Sequence, residues 1–126
     1  MNEGDFMDKK KVLIIEDDRN ILEAQAMILQ SEFDVYKASN GDVGFALAKK
    51  TKPDLIVLDL MLPKRGGYDL CFSFRQEEEL KNTKILMVTA LGQEIDKKKG
   101  LMVGADHYMT KPFEVDEFLN KVRELI

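Results

Sequence analysis

Leu55-Ile56-Val57-Leu58-Asp59-Leu60-Met61-Leu62-Pro63 carries the pattern that sets the fold class. Its first four residues are a short, apolar, partly β-branched run without polar alternation. Such a run reads as a strand covered on both faces, the kind found in parallel sheets. The segment Met61-Leu62-Pro63 then breaks the pattern. Asp59 therefore stands at the carboxyl end of a buried strand, where open α/β sheets place their ligands. A charge in that position is costly unless it is paired or binds a metal.

Outward from this strand, strand-like and helix-like segments alternate. Val12-Leu13-Ile14-Ile15 is a second buried run, and Ile85-Leu86-Met87-Val88 a third. Phe33 to Ala38 is a weaker strand and Asp106 to Met109 a short one. Between them lie helical stripes: Ile21 to Leu29, Val43 to Ala48, a helix after Gly66-Gly67 with Leu70, Cys71 and Phe74 inward, and a Lys-rich helix ending near Gly104. A last helix after Pro112 turns Phe118, Leu119, Val122 and Leu125 inward. Asn40-Gly41 reads as a turn, and Pro53 stops the helix before it. Five strand–helix units with short connections imply an α/β fold: a doubly wound, five-stranded parallel sheet with five helices on its two faces.

The chain has 126 residues, 44% of them hydrophobic and 33% charged, enough for one domain with its own core. A net charge of -4 argues against nucleic acid as a direct ligand of this segment. Cys71 is the only cysteine, so metal–thiolate spacings are absent and a cytoplasmic setting is expected. No segment approaches the roughly 20 apolar residues of a membrane span. Residues 1–9 read as a flexible N-terminal tail before a domain over 10–126.

Glu16-Asp17-Asp18 follows the first strand, and Asp59 ends the third. In a doubly wound sheet these strands can be neighbours at the point where strand order reverses. Glu16, Asp17 and Asp59 then crowd one crevice, where like charges raise each other's pKa unless a cation joins them. Oxygen-only ligands favour a hard ion, Mg²⁺ in a cell, with Mn²⁺ or Ca²⁺ as substitutes in vitro. Asp18 reads instead as the N-cap of the first helix. Thr89 follows the fourth strand and Lys111 the fifth. A carboxylate nucleophile, a lysine and a hydroxyl at neighbouring strand ends suit phosphoryl transfer onto an aspartate.

The segments Ile14-Ile15-Glu16-Asp17-Asp18, Leu58-Asp59-Leu60-Met61-Leu62-Pro63, Val88-Thr89-Ala90 and Lys111-Pro112-Phe113 occur in this order and register. With them the chain resembles the receiver domain of two-component response regulators from about Lys10 to Ile126. The resemblance implies the flavodoxin-like strand order 2-1-3-4-5. It implies that Asp59 is phosphorylated by a sensor histidine kinase or phosphotransfer protein. It also implies that Asp17 binds Mg²⁺ directly, Glu16 through water, and Met61 through its backbone carbonyl. Thr89 and Lys111 would hold the phosphoryl group, with Tyr108 as the aromatic switch, a cis Lys111–Pro112 bond and Gly67 closing the loop. Met61 and Leu91 match two positions that flank the phosphoryl group and tune its lifetime.

Leu91, Ile95 and Met102 are read as one face of the fourth helix; the resemblance implies that the main core face is another, bearing Leu101. In receivers the fourth helix, fifth strand and fifth helix form the output surface, so this stripe is a candidate face for a second copy or an effector. His107 reads as a surface residue, Cys71 as core filler and Phe72 as an isolated exposed side chain. Three other functions would need different residues. A phosphatase or phosphotransferase of the haloacid dehalogenase type needs a second Asp two residues after the nucleophile, where Met61 stands. A nucleotide or flavin module needs a Gly- or Ser/Thr-rich phosphate loop where Glu16-Asp17-Asp18 stands. A receiver-like module that works without phosphorylation would not need the full set of site residues.

Overall fold

The computed structural model describes residues 9–126. The tail expected over residues 1–9 thus lies outside the described residues except for Lys9. Five parallel strands, β1 (Lys11–Ile15), β2 (Asp34–Ala38), β3 (Leu55–Asp59), β4 (Lys84–Thr89) and β5 (His107–Thr110), form one sheet in the order β2-β1-β3-β4-β5. Five helices connect or follow them: α1 (Arg19–Leu29), α2 (Gly41–Thr51), α3 (Gly67–Gln76), α4 (Glu94–Met102) and α5 (Val115–Leu125). A short 3₁₀ turn, Glu78–Leu80, precedes β4.

Alternation along each strand divides the core into two layers. Leu13, Ile15, Ile56, Leu58, Ile85, Met87 and Tyr108 point to one face, where α2 brings Ala48 and α3 brings Leu70, Cys71 and Phe74. Val12, Ile14, Leu55, Val57, Leu86, Val88 and Met109 point to the other, under Leu22, Ala26 and Leu29 of α1 and Phe118 and Val122 of α5. All five residues of β3 are buried, which is why its sequence lacks polar alternation. Each fully buried Leu or Phe here stabilises the fold by about 1.5–3 kcal/mol.

Helix boundaries follow capping chemistry. Asp18 caps α1, accepting from the N–H groups of Asn20 and Ile21. Asn40 caps α2 through the Val43 N–H, so Asn40-Gly41 begins the helix and is not a turn ahead of it. Lys52 ends α2 in a left-handed conformation, one residue before Pro53. Gly104 follows α4 with φ +113°, the expected C-terminal glycine. β5 starts at His107, one residue later than expected; just before it the Asp106 carboxylate accepts from the Ile85 N–H and from Arg75.

Two expectations for α4 are corrected. Leu101 is 52% exposed, so it does not mark the core face. The buried residue of α4 is Gly100, which packs directly on Met87 and Tyr108. Leu91 lies before the helix, partly buried against the core, and shares no helical face with the exposed Ile95 and Met102.

Candidate functional site at the carboxyl end of the sheet

β1 and β3 are hydrogen-bonded neighbours, with Ile15 opposite Leu58. The residues following these partners therefore emerge side by side. Glu16 and Asp59 are nearly inaccessible, at 1% and 5%, while Asp17 is exposed at the mouth. One carboxylate oxygen from each of Glu16, Asp17 and Asp59 lies within 4.8 Å of the others. The Met61 N–H donates to Asp59 Oδ1 at 3.1 Å, and the Asp18 N–H donates to Glu16 Oε2 at 3.2 Å.

β5 beside β4 brings in the cation. Lys111 Nζ donates to Glu16 Oε1 at 2.6 Å and stands 3.7 Å from Asp59 Oδ2. The Lys111 N–H bonds the Thr89 carbonyl at 2.7 Å, and the Lys111–Pro112 peptide is cis. Thr89 is fully buried, and its hydroxyl accepts from the Leu91 N–H at 3.3 Å. Three carboxylates against one lysine leave a local excess of negative charge. Burial pushes the Glu16 carboxyl up to about 7; the Asp59 carboxylate adds to this, against the opposing pull of Lys111. An all-oxygen set with surplus negative charge, open to solvent through Asp17, fits a hard divalent cation.

Behind the β3 end, Gly67 closes the loop. Its N–H donates to the Leu60 carbonyl at 3.0 Å. A Cβ there would lie 2.6 Å from Leu60 Cα and 2.8 Å from the Asp59 carbonyl, so only glycine fits. Tyr108 lies inward, 7% exposed, with its hydroxyl donating to the Leu91 carbonyl at 2.6 Å. Burial raises its pKa to about 12, which keeps it a neutral donor.

Glu16, Asp17, Asp59, Thr89 and Lys111 thus gather at one end of the sheet. Met61 reaches Asp59 through its backbone, while its side chain is 58% exposed. The Leu91 side chain is partly buried and packs on the core. Ile95 and Met102 lie apart on α4, 67% and 85% exposed. Cys71 is core filler and Phe72 is exposed, as read from the sequence. Sequence reading missed Tyr68, whose hydroxyl donates to the Asp96 carbonyl in α4. It also missed Gln25, whose amide is buried without a partner beneath α1. Gln25 falls on the inward stripe of α1, and that polar break was the available signal.

The family model of the response regulator receiver domain matches residues 12–123. The chain belongs to this family. It is 46% identical over 117 residues to the DNA-binding dual master transcriptional regulator RpaA of Synechocystis, covering 92% of this chain and 48% of that protein. It is 42% identical over 118 residues to the alkaline phosphatase synthesis transcriptional regulatory protein PhoP of Bacillus subtilis, covering 93% and 48%. The chain spans about half the length of these curated relatives. Among solved structures, chemotaxis protein CheY4 of Vibrio cholerae superposes with a TM-score of 0.89 at 28% identity, over 94% of this chain and 99% of that one. The receiver domain of Francisella response regulator 1452 gives 0.85 at 32%, over 92% and 95%. The receiver is a phosphorylation-activated signalling switch. Among the described residues, no helix is long and apolar enough to cross a membrane.

Proposed function

We propose that Asp59 is the phosphoryl acceptor of this receiver, and that the receiver domain spans residues 10–126. The observation that carries the reading is the carboxylate trio within 4.8 Å, with Lys111 against two of its members. The donor is a phosphohistidine on a sensor histidine kinase or phosphotransfer protein in the cytoplasm. An Asp59 oxygen attacks phosphorus, the P–N bond breaks, and the electron pair stays with the departing imidazole nitrogen.

Asp17, Glu16 through water, Asp59 and the Met61 carbonyl would hold Mg²⁺, which when bound neutralises charge on the transferring oxygens. Lys111 exchanges its contact with Glu16 for the new phosphoryl oxygens. The Thr89 hydroxyl turns from the Leu91 N–H to donate to the same group. Both movements work on the strand ends next to Tyr108, whose inward position is then favoured. The output is read on the surface of α4, β5 and α5, where Ile95 and Met102 stand exposed for a second copy or an effector. The segment itself contacts no nucleic acid.

Incubation with a small phosphodonor and Mg²⁺ tests the acceptor. Asp59→Asn is expected to abolish incorporation, with far-ultraviolet circular dichroism unchanged. Full labelling of the Asn variant overturns the assignment.

A further inference from the structure

The helix α4 is anchored to the sheet by few side chains. Its one buried residue is Gly100, and Ile95, Leu101 and Met102 are each more than half exposed. A Cβ on Gly100 would meet Met87 Sδ at 2.9 Å and Tyr108 Cδ2 at 3.1 Å, so the helix backbone itself lies against the sheet. No large side chain of α4 is driven fully into the core to fix its position.

A side chain of α3 does the fixing instead. The Tyr68 hydroxyl donates to the Asp96 carbonyl at 3.0 Å, and the Lys99 ammonium lies 4.8 Å from the centre of its ring. Burial raises the Tyr68 pKa, so its phenol remains a donor. Tyr68 directly follows Gly67, whose backbone is packed without clearance on Leu60 and on the Asp59 carbonyl. One end of Tyr68 is therefore tied to the loop behind Asp59, and the other grips the first half of α4. Tyr108 reaches the same region from β5, holding the Leu91 carbonyl just before the helix.

We propose that Tyr68 is a positioning residue of the switch, a second link between the Asp59 loop and α4 alongside Thr89 and Tyr108. Its hydroxyl sets the stance of α4, and displacement of the Asp59 loop is passed to the helix through it. The consequence for signalling rests on Asp59 being the acceptor, whereas the latch itself exists without phosphorylation.

Hydrogen exchange in Tyr68→Phe tests this, because the ring and its packing are kept while the hydroxyl is lost. Amides of Glu94–Met102 are expected to exchange about threefold to tenfold faster, the effect of losing one net hydrogen bond. Exchange in β1 and β3 and the rate of Asp59 labelling should not change. The difference in α4 exchange between labelled and unlabelled chains should shrink. Unchanged α4 exchange in the unlabelled variant overturns the latch, and so does an equal acceleration throughout the chain. A chain that fails to label, yet shows the selective α4 effect, keeps the latch and removes the acceptor reading instead.

Discussion

Glu16 is a carboxylate that burial holds well above its ordinary pKa. It is almost wholly buried beside Asp59, and its pKa rises from 4.5 to about 7 despite the ammonium of Lys111 at 2.6 Å. The folded chain therefore holds this proton more tightly than the unfolded chain. In the absence of divalent ions, the stability that the Glu16 proton contributes is fully present below about pH 4.5 and is lost as pH rises through about 7. The shift corresponds to a cost on the order of 3 kcal/mol once Glu16 is ionised. Thermal melting without divalent ions should thus give a higher midpoint near pH 5.5 than near pH 8. Mg²⁺ should raise the midpoint most at the higher pH, where the carboxylates it joins are charged. Glu16→Gln should flatten the ion-free profile across this window; an equally sloped profile in that variant would place the titration elsewhere. Glu16, Asp17 and Asp59 were legible as candidates because each stands directly beyond an apolar strand. Their convergence needed the strand order, which pattern alone leaves open and the family resemblance supplied.

At the scale of elements, the strands were the most legible part. Burial on both faces leaves an unbroken apolar run, and β1, β3 and β4 all show one. The helix α4 was misread for the opposite reason. Its core contact is Gly100, which has no side chain to appear in a hydrophobic pattern, and the family resemblance put Leu101 in the inward place. Hydrogen bonds from side chain to distant backbone were equally silent in the sequence. The guanidinium of Arg75 donates to the carbonyls of Gly104, Leu80 and Thr83 and to the Asp106 carboxylate, tying α3 to the segments that lead into β4 and β5. Arg75→Met keeps most of the apolar stem but strands these acceptors. A loss of about 2–4 kcal/mol is expected, read from the urea midpoint. A variant as stable as the parent would show that solvent replaces the clamp.

Across the whole molecule, the order β2-β1-β3-β4-β5 turns five separate strand ends into one device. Adjacent β1 and β3 supply the carboxylates, and adjacent β4 and β5 supply Thr89, Lys111 and Tyr108. The loop behind Asp59 reaches α4 through Gly67 and Tyr68. Chemistry at the buried end of β3 is thereby joined to a helix whose apolar side chains face outward. All of this depends on a phosphoryl group arriving at one residue. The most direct measurement is peptide mapping by mass spectrometry after reaction of the full chain with a small phosphodonor, with and without Mg²⁺. A single acid-stable, base-labile acyl phosphate on Asp59, formed only with the divalent ion, is the expected result. A phosphoryl group mapped to His107, to Asp17 or to a hydroxyl, or full Asp59 labelling without any divalent ion, would contradict it.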